Sequence, residues 1–472
     1  MSLAVLVSAC GGSVSESDLQ KWASSETGFQ RLAQVIRDAK QPVEVRVRAL
    51  EVIVEKDQAI RVRGMIDPVP EADRQTIARA LVDKLVTQVE SRSPTQAQSK
   101  DAILSLVRYL TPEQVERVQR AISVWAFSDI SWETPAPDLK SKLEARIDAG
   151  QIASLGPHGL EPAAILLANG FVAEQMVRYI TSVDVPQAKE LLLKALRRFL
   201  PTYGVNPLYL DAVRRTQDAR GAQLLFELYQ NQALDQEARD ACFTTGALMI
   251  DVIKNAPADQ KKAVADELLK IGGAGSIDDR WLAAANLLAL AGSSRLADVL
   301  ATLKDDKLYA KDETDTGKRV LDFCLDLQKF GTAAEAEAPL RDALNKGTNV
   351  QKSVAVICAK ALALEAVKPE LGALAANLGK PADVSVADFL GETTLPDGKK
   401  APITLGLLAQ NAIEGMGLIA ALATATPKLE GEQLDARRFM IVVEFEAVGE
   451  PYTKAIDERF AAWLENKAKA PK

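Results

Sequence analysis

Apolar residues recur along most of the chain at spacings of three and four positions, which is the pattern of amphipathic α-helices. Proline, glycine, aspartate and asparagine interrupt this pattern at short intervals, so it predicts many helices of moderate length joined by short turns. The clearest predicted helices cover residues 28–38, 43–53, 73–89, 99–110, 113–127, 161–180, 187–200, 206–215, 219–229, 236–253, 259–271, 278–290, 293–303, 316–330, 333–344 and 350–366. The pattern therefore predicts an all-α protein.

Two regions interrupt the helical pattern. Residues 379–402 contain three prolines and several turn residues, which predicts an ordered insertion or a small β-hairpin that either binds a partner or is a surface loop. Residues 439–448 are rich in β-branched side chains, so this segment is either helix or strand. An amphipathic helix over 452–467 follows and is predicted to close the fold as a C-terminal cap.

A weak repeat appears when basic residues near helix starts are aligned. Arg280, Lys318 and Lys352 each have apolar residues three and seven positions later, Arg46 repeats the pattern near the N-terminus, and Arg239 begins a degenerate copy. The later copies follow one another at 34 to 41 residues. Periods of this length are typical of proteins built from stacked helix pairs.

The windows 278–292 and 42–50 resemble HEAT repeats. The resemblance implies an α-solenoid, in which helix pairs stack side by side around a continuous core and present an extended surface to protein partners. We assign residues 19–378 to HEAT-like repeats and 403–472 to the helical cap. The alternative is a non-repetitive helical domain, because irregular bundles have the same 3.6-residue periodicity.

The N-terminus carries a candidate targeting signal. Val7, Ser8, Ala9 and Cys10 end a short apolar run and resemble a bacterial lipobox. The resemblance implies cleavage before Cys10 and acylation of its sulfur, so residues 1–9 are interpreted as a signal-peptide remnant and 10–18 as a lipidated tether. Because Gly11 follows the cysteine, the resemblance favours the outer membrane, facing the periplasm.

Two features of this segment depart from a signal peptide. No Lys or Arg precedes the apolar run, and the run itself is short. Either the true start lies upstream of Met1, or the segment is an apolar tail and the protein is cytoplasmic. No other stretch reaches 18 uninterrupted apolar residues, so we expect no transmembrane helix and any membrane attachment through the acylated Cys10.

The remaining cysteines, Cys242, Cys324 and Cys358, lie in apolar helical segments without a C-x-x-C pair. We expect all three to be small core residues. Stacked repeats would place Cys324 and Cys358 at equivalent positions of successive units, with backbones about 8–10 Å apart. That separation exceeds the disulfide limit of about 7 Å between Cα atoms, so we expect no disulfide.

Charge argues against a nucleic-acid partner, because the chain has a net charge of −7. One local exception is the cluster of Arg46, Arg48, Arg61 and Arg63, which is a candidate binding patch. Neighbouring glutamates and an aspartate dilute its charge, so the alternative is an ion-paired helix face.

Catalytic chemistry finds little support in the sequence. His158 is the single histidine, the glycine-rich run 272–276 lacks the Lys-Ser/Thr of a phosphate-binding loop, and Asp315-Thr316-Gly317 is expected to cap a helix. We therefore predict no catalytic residue, cofactor or metal.

The sequence thus predicts an envelope lipoprotein whose helical repeats form a scaffold for other envelope proteins. A cytoplasmic HEAT-like adaptor is the first alternative. A helical-repeat enzyme, resembling a HEAT-like DNA glycosylase or a bilin lyase, is the second.

Overall fold

The computed structural model describes residues 14–304, 316–394, 398–422 and 428–469. The chain forms two compact units, the first ending at Gly204 and the second beginning at Val205. The predicted lipobox and Asp315 lie outside the described residues.

The first unit consists of successive helices connected by short turns. Its α-helices are α1 (Glu16–Trp22), α2 (Glu26–Arg37), α3 (Val43–Glu55), α4 (Ala59–Ile66), α5 (Glu71–Glu90), α6 (Gln96–Leu106), α7 (Pro112–Ala126), α8 (Ala136–Glu144), α9 (Ala149–Ile152), α10 (Leu160–Ala168), α11 (Ala173–Ser182) and α12 (Pro186–Tyr203), with 3-10 turns at Val107–Tyr109 and Ala153–Gly159.

The second unit adds one small hairpin to its helices. Its described elements are α13 (Pro207–Thr216), α14 (Ala219–Tyr229), α15 (Gln236–Ile253), α16 (Ala258–Ala274), α17 (Ile277–Ala291), α18 (Leu296–Thr302), α19 (Thr316–Phe330), α20 (Ala333–Lys346), α21 (Asn349–Ala361), α22 (Lys368–Ala375), α23 (Ala387–Leu390), β1 (Glu392–Thr394), β2 (Lys400–Pro402), α24 (Leu405–Leu422), α25 (Glu432–Val443) and α26 (Glu450–Lys469), with 3-10 turns at Gly292–Arg295 and Glu365–Val367.

Helices in each unit pack on the next helix and on the next but one. In the first unit, α3 packs on α2 and α5, and α5 packs on α6 and α7. In the second unit, α14 packs on α15 and α16, α16 on α17, α17 on α19, and α19 on α21. This stacking of neighbouring helices around a shared core is the arrangement of an α-solenoid. The predicted all-α, HEAT-like fold is therefore confirmed.

The repeat positions lie in this core. Ala283 and Leu287, three and seven residues after Arg280, are buried, and so are Ala355 and Ala359 after Lys352. The corresponding leucines after Lys318 are half-buried. The alanines among these positions let neighbouring helices approach closely.

Capping residues explain where several helices begin. The side chains of Thr111, Ser276 and Thr348 each accept a hydrogen bond from the backbone amide three positions later. The side chain of that later residue in turn accepts one from the backbone amide of the cap. These reciprocal capping boxes satisfy amide groups that the first helical turn leaves free. They also explain why the glycine-rich run 272–276 ends α16 and starts α17.

The segment predicted as one helix over 161–180 is two helices, α10 and α11. Gly170 adopts a φ of +77° directly after α10, and this conformation, which glycine tolerates, ends the helix.

The insertion contains the predicted hairpin, with Thr393 paired to Ala401 in an antiparallel register. Most of its turn, residues 395–397, lies outside the described residues. Residues 439–443 belong to α25, and 444–448 form neither helix nor strand. Burial of Met440, Ile441 and Val442 explains how a β-branched segment becomes helical, because core packing outweighs local propensity.

Helix α24 (Leu405–Leu422) is long and apolar enough, by length and composition, to cross a membrane. It carries Asn411 buried in the protein and packs on α21, α22 and α25. Within its most apolar stretch, 44% of the residues are buried.

The prediction that Cys324 and Cys358 stay unpaired is wrong. The two residues form a disulfide between α19 and α21, with Cα atoms 4.6 Å apart. The prediction applied a spacing that holds for helix axes, whereas each Cα lies about 2.3 Å from its own axis. Facing Cα atoms of helices packed about 8–10 Å apart are therefore close enough for a disulfide.

Candidate functional site

Two residues of the candidate basic patch, Arg46 and Arg48, lie on α3. Arg46 is only 2% exposed, and its guanidinium donates to the Ile36 carbonyl oxygen at 2.8 Å and pairs with Asp73 at 2.9 Å. Arg48 pairs with Glu16 and Glu55, each at 2.5 Å. Arg46 thus holds neighbouring elements together from inside the unit.

The other two patch residues, Arg61 and Arg63, lie on α4. Arg61 pairs with Glu26 at 3.0 Å and stacks over the Phe29 ring at 4.7 Å. Arg63 lies 3.6 Å from Asp67. All four guanidiniums therefore have acidic partners within the protein.

His158 and Cys242, which the sequence also singles out, make contacts typical of structural residues. The carbonyl oxygen of His158 accepts a hydrogen bond from the Ser123 hydroxyl at 2.7 Å. Cys242 is buried, and burial raises the pKa of its thiol to about 12, which suppresses the reactive thiolate. Within the described ranges, no group of three or more His, Cys, Asp or Glu residues could hold a metal ion.

A groove of about 490 Å³ lies in the first unit, between the C-terminal end of α5 and one face of α7. We call it the Arg–Trp groove and define it by Arg92, Arg117, Arg120, Val124 and Trp125. Arg117, Arg120 and Val124 share a face of α7 because residues three and seven positions apart lie on the same side of a helix.

Arg92 occupies an uncommon backbone conformation. Its φ is +57°, and its amide bonds to the Val89 carbonyl oxygen while the Ser93 amide bonds to that of Gln88. This arrangement is a Schellman motif, in which the left-handed position is usually glycine. The exposed Arg92 side chain makes no hydrogen bond or ion pair within the described part of the chain.

The other two guanidiniums of the groove have exposed partners. Arg117 donates two hydrogen bonds to Glu90, at 2.8 and 3.3 Å, and these bonds raise the pKa of Arg117. Arg120 pairs with Glu116 at 3.2 Å, one helical turn away. Both arginines remain accessible, with 44% and 61% of their side chains exposed.

An apolar surface adjoins these charges. Val124 is 66% exposed, and Trp125 is half-buried. Arginine and tryptophan are the residue types most enriched where protein interfaces gain their binding energy. The arrangement can therefore hold a chain segment that carries both carboxylates and an apolar side chain.

The groove was not predicted from the sequence, although α7 carries a signal for it. Arg117, Arg120 and Val124 have the three- and four-residue spacing of one helix face. This face carries two charges and one apolar side chain, and it faces solvent. The third arginine follows a helix end, and its residue type gives no indication of a left-handed backbone.

The second unit contains a separate buried polar cluster. Lys360 is 1% exposed, and its side-chain amino group donates to Asn411 Oδ1 at 2.7 Å and to the Glu444 carbonyl oxygen at 2.6 Å. Its Nζ lies 4.8 Å from the centre of the Tyr452 ring. Burial depresses the pKa of Lys360 well below its usual range. The cluster joins α21, α24 and α26.

The chain has similarities to known proteins only at the level of solved structures. No protein-family profile matches it, and no curated protein sequence matches it. It resembles the karyopherin Kap121p bound to the extreme C-terminus of the protein phosphatase Cdc14p, with 11% identity, 96% of this chain and 52% of the other chain covered, and a TM-score of 0.32. It also resembles Kap121p bound to Nup53p, with 11% identity, 95% and 53% coverage, and a TM-score of 0.33.

The chain spans about half the length of these karyopherins. Similarity at this TM-score identifies no shared function, and the assignment of a helical-repeat fold rests on the packing of the helices described above.

Proposed function

We propose that this protein is a helical-repeat scaffold of the bacterial envelope, anchored to a membrane through an acylated Cys10 and binding a partner protein through the Arg–Trp groove. The observation that carries the proposed location is the disulfide between Cys324 and Cys358. Disulfides persist in oxidising compartments such as the periplasm and are rare in the cytosol.

The lipobox-like segment supports the same location independently. Acylation of Cys10 would hold the folded units at a membrane surface. A cysteine that carries more than one acyl chain anchors a protein stably to a membrane. Of the two membranes, we favour the outer membrane, with the protein facing the periplasm.

The binding role is supported by the groove and by the repeat architecture. Stacked helices expose extended surfaces, and proteins of this architecture commonly use such surfaces for binding. Among the described residues, the Arg–Trp groove combines exposed guanidiniums with an exposed apolar side chain and an aromatic ring.

Membrane fractionation of the protein expressed from its natural locus tests the location. We expect the natural protein in the membrane fraction after an alkaline wash, and a Cys10→Ser variant released from it. A natural protein that stays in the cytosol, like its variant, would contradict the lipid anchor.

Photo-crosslinking in cells tests the binding role. A photoreactive residue replacing Val124 is expected to give a discrete adduct with another protein. Leu248, in the second unit, is the matched control because it is equally exposed, at 66%. Equal adducts from both positions, or none from position 124, would contradict partner binding at the groove.

A further inference from the structure

We propose that the Arg–Trp groove recognises an acidic segment of its partner protein, with carboxylates pairing with the arginines and one bulky apolar side chain covering Val124 and Trp125. This inference rests on the proposed protein-binding function and names the chemistry of the partner.

Arg92 has a left-handed backbone, as Val172, Gln217 and Ala363 also do. A Cβ atom disfavours the left-handed region, and only Gly, Asn and Asp adopt it readily. Asp57, at φ +59°, ends α3 in the same motif with one of these tolerated residues. At position 92 the chain instead carries an arginine whose guanidinium lacks a partner within the described ranges. Strained backbone of this kind clusters at binding sites.

The charge of the groove selects an acidic ligand. Three guanidiniums line the groove, and two of them have acidic partners within the protein. Arg117 pairs with Glu90 and Asp83, and Arg120 pairs with Glu116. The pairs made by Arg117 and Arg120 are exposed, so exchanging these partners for carboxylates of a ligand costs little. Arg92 is therefore the guanidinium that is open to a ligand carboxylate, and the exposed pairs of Arg117 and Arg120 can exchange for further ones.

The apolar side of the groove distinguishes a peptide from a polyanion such as nucleic acid. A phosphate backbone would leave Val124 uncovered. Burying the valine and the face of Trp125 instead requires an apolar side chain on the ligand.

Helix geometry sets the spacing on the partner. Arg117 and Val124 are seven residues apart on α7, which corresponds to about 10.5 Å along the axis. An extended chain covers that distance in about three residues. The partner segment should thus carry an acidic residue about three positions from its bulky apolar residue.

The test uses the full chain with Cys10→Ser and fluorescein-labelled peptides measured by anisotropy. The probe is a glutamate-rich octapeptide with one central phenylalanine. The comparison peptides replace the glutamates by lysine, or the phenylalanine by alanine. We expect binding to the acidic probe that weakens as salt rises from about 0.05 to 0.15 M, and weaker binding to both comparison peptides.

The variant Arg92→Gly removes the guanidinium and also relieves the backbone strain. It is expected to weaken binding by about three- to fivefold while leaving thermal stability equal or higher, so lost folding cannot explain the result. Asp57→Gly is the matched backbone control. Arg178→Gln is the charge control, because Arg178 is an exposed arginine of α11 that does not line the groove, and both variants should bind as the parent does. Adding Arg120→Gln to Arg92→Gly should weaken binding further.

Three results would overturn the inference. The first is equal binding of the acidic and lysine peptides, and the second is unchanged binding by the Arg92→Gly/Arg120→Gln variant. The third is self-association of the chain that Val124→Asp abolishes, because a second copy would then be the occupant of the groove. Because the assay uses purified protein without a lipid anchor, its failure is distinguishable from failure of the proposed membrane location.

Discussion

Lys360 is the most unusual single residue in the core of the second unit, because its side-chain amino group is buried. Both of its hydrogen-bond acceptors are neutral, and two acidic residues, Glu414 and Glu444, are near enough to favour its charged form. Burial outweighs them and lowers the pKa of the lysine. The cluster therefore couples folding to pH.

The sign of this coupling follows from proton binding. An unfolded lysine has a pKa of about 10.4. Between the depressed pKa of the folded state and this value, the lysine is protonated in the unfolded chain but not in the folded one. The free energy of unfolding therefore rises with pH in this range. We predict that the parent gains stability relative to Lys360→Met as pH rises from about 7 toward 10, by up to about 1.4 kcal/mol per pH unit. Urea unfolding of both proteins across this range measures the difference, and parallel curves would show that Lys360 does not titrate in this way.

A second residue-scale prediction concerns Ala363, whose φ is +50° after α21. Glycine adopts this conformation without the Cβ penalty but loses more entropy on folding. Ala363→Gly should therefore raise the free energy of unfolding by about 0.5–1 kcal/mol. Ala355→Gly, inside the same helix, is the opposite control and should lower it. Thermal unfolding of the three proteins measures both effects, and a destabilised Ala363→Gly would refute backbone strain at this position.

Residue type alone predicted some of this chemistry. The apolar setting of Cys242 correctly indicated a buried small residue. The backbone at Arg92 and the burial of Lys360 could not be anticipated, because left-handed backbone and lysine burial depend on helix ends and neighbours that lie far away in sequence.

At the scale of elements, the disulfide links α19 and α21 across a sequence separation of 34 residues. Closing a loop of that length restricts the unfolded chain and stabilises the fold by about 3–4 kcal/mol in the chain-entropy model. Replacing both cysteines by alanine is expected to lower the free energy of unfolding by about that amount. Urea unfolding measures it, with Cys242→Ala as the control that leaves the disulfide intact, and an unchanged midpoint would contradict the crosslink.

Long helices were predicted from the sequence because the side chains that they bury in the core are apolar and recur with a clear helical period. The short helices α4, α8 and α22 were missed, since segments of 8 or 9 residues offer too few turns for a clear period. The α25 segment stayed ambiguous between helix and strand because its β-branched residues favour a strand, and only its burial decided for a helix.

At the scale of the whole molecule, the architecture was predictable and the binding surface was not. The repeat of small and apolar positions reports how neighbouring helices pack, and it therefore indicates an α-solenoid. The Arg–Trp groove depends on which solvent-facing side chains of α5 and α7 come together. The spacing of the core residues along the sequence does not indicate which surface side chains these are.

The proposed function requires that the chain works outside the cytoplasm on a lipid anchor. Both requirements are tested by the intact mass of the protein purified from cells that express it from the natural locus, with thiols trapped by an alkylating agent during denaturing lysis. We predict a mature chain that begins at an acylated Cys10, with one alkylated cysteine, Cys242, and with Cys324 joined to Cys358. An unprocessed chain with Cys10, Cys242, Cys324 and Cys358 all alkylated would contradict both the anchor and the oxidising location.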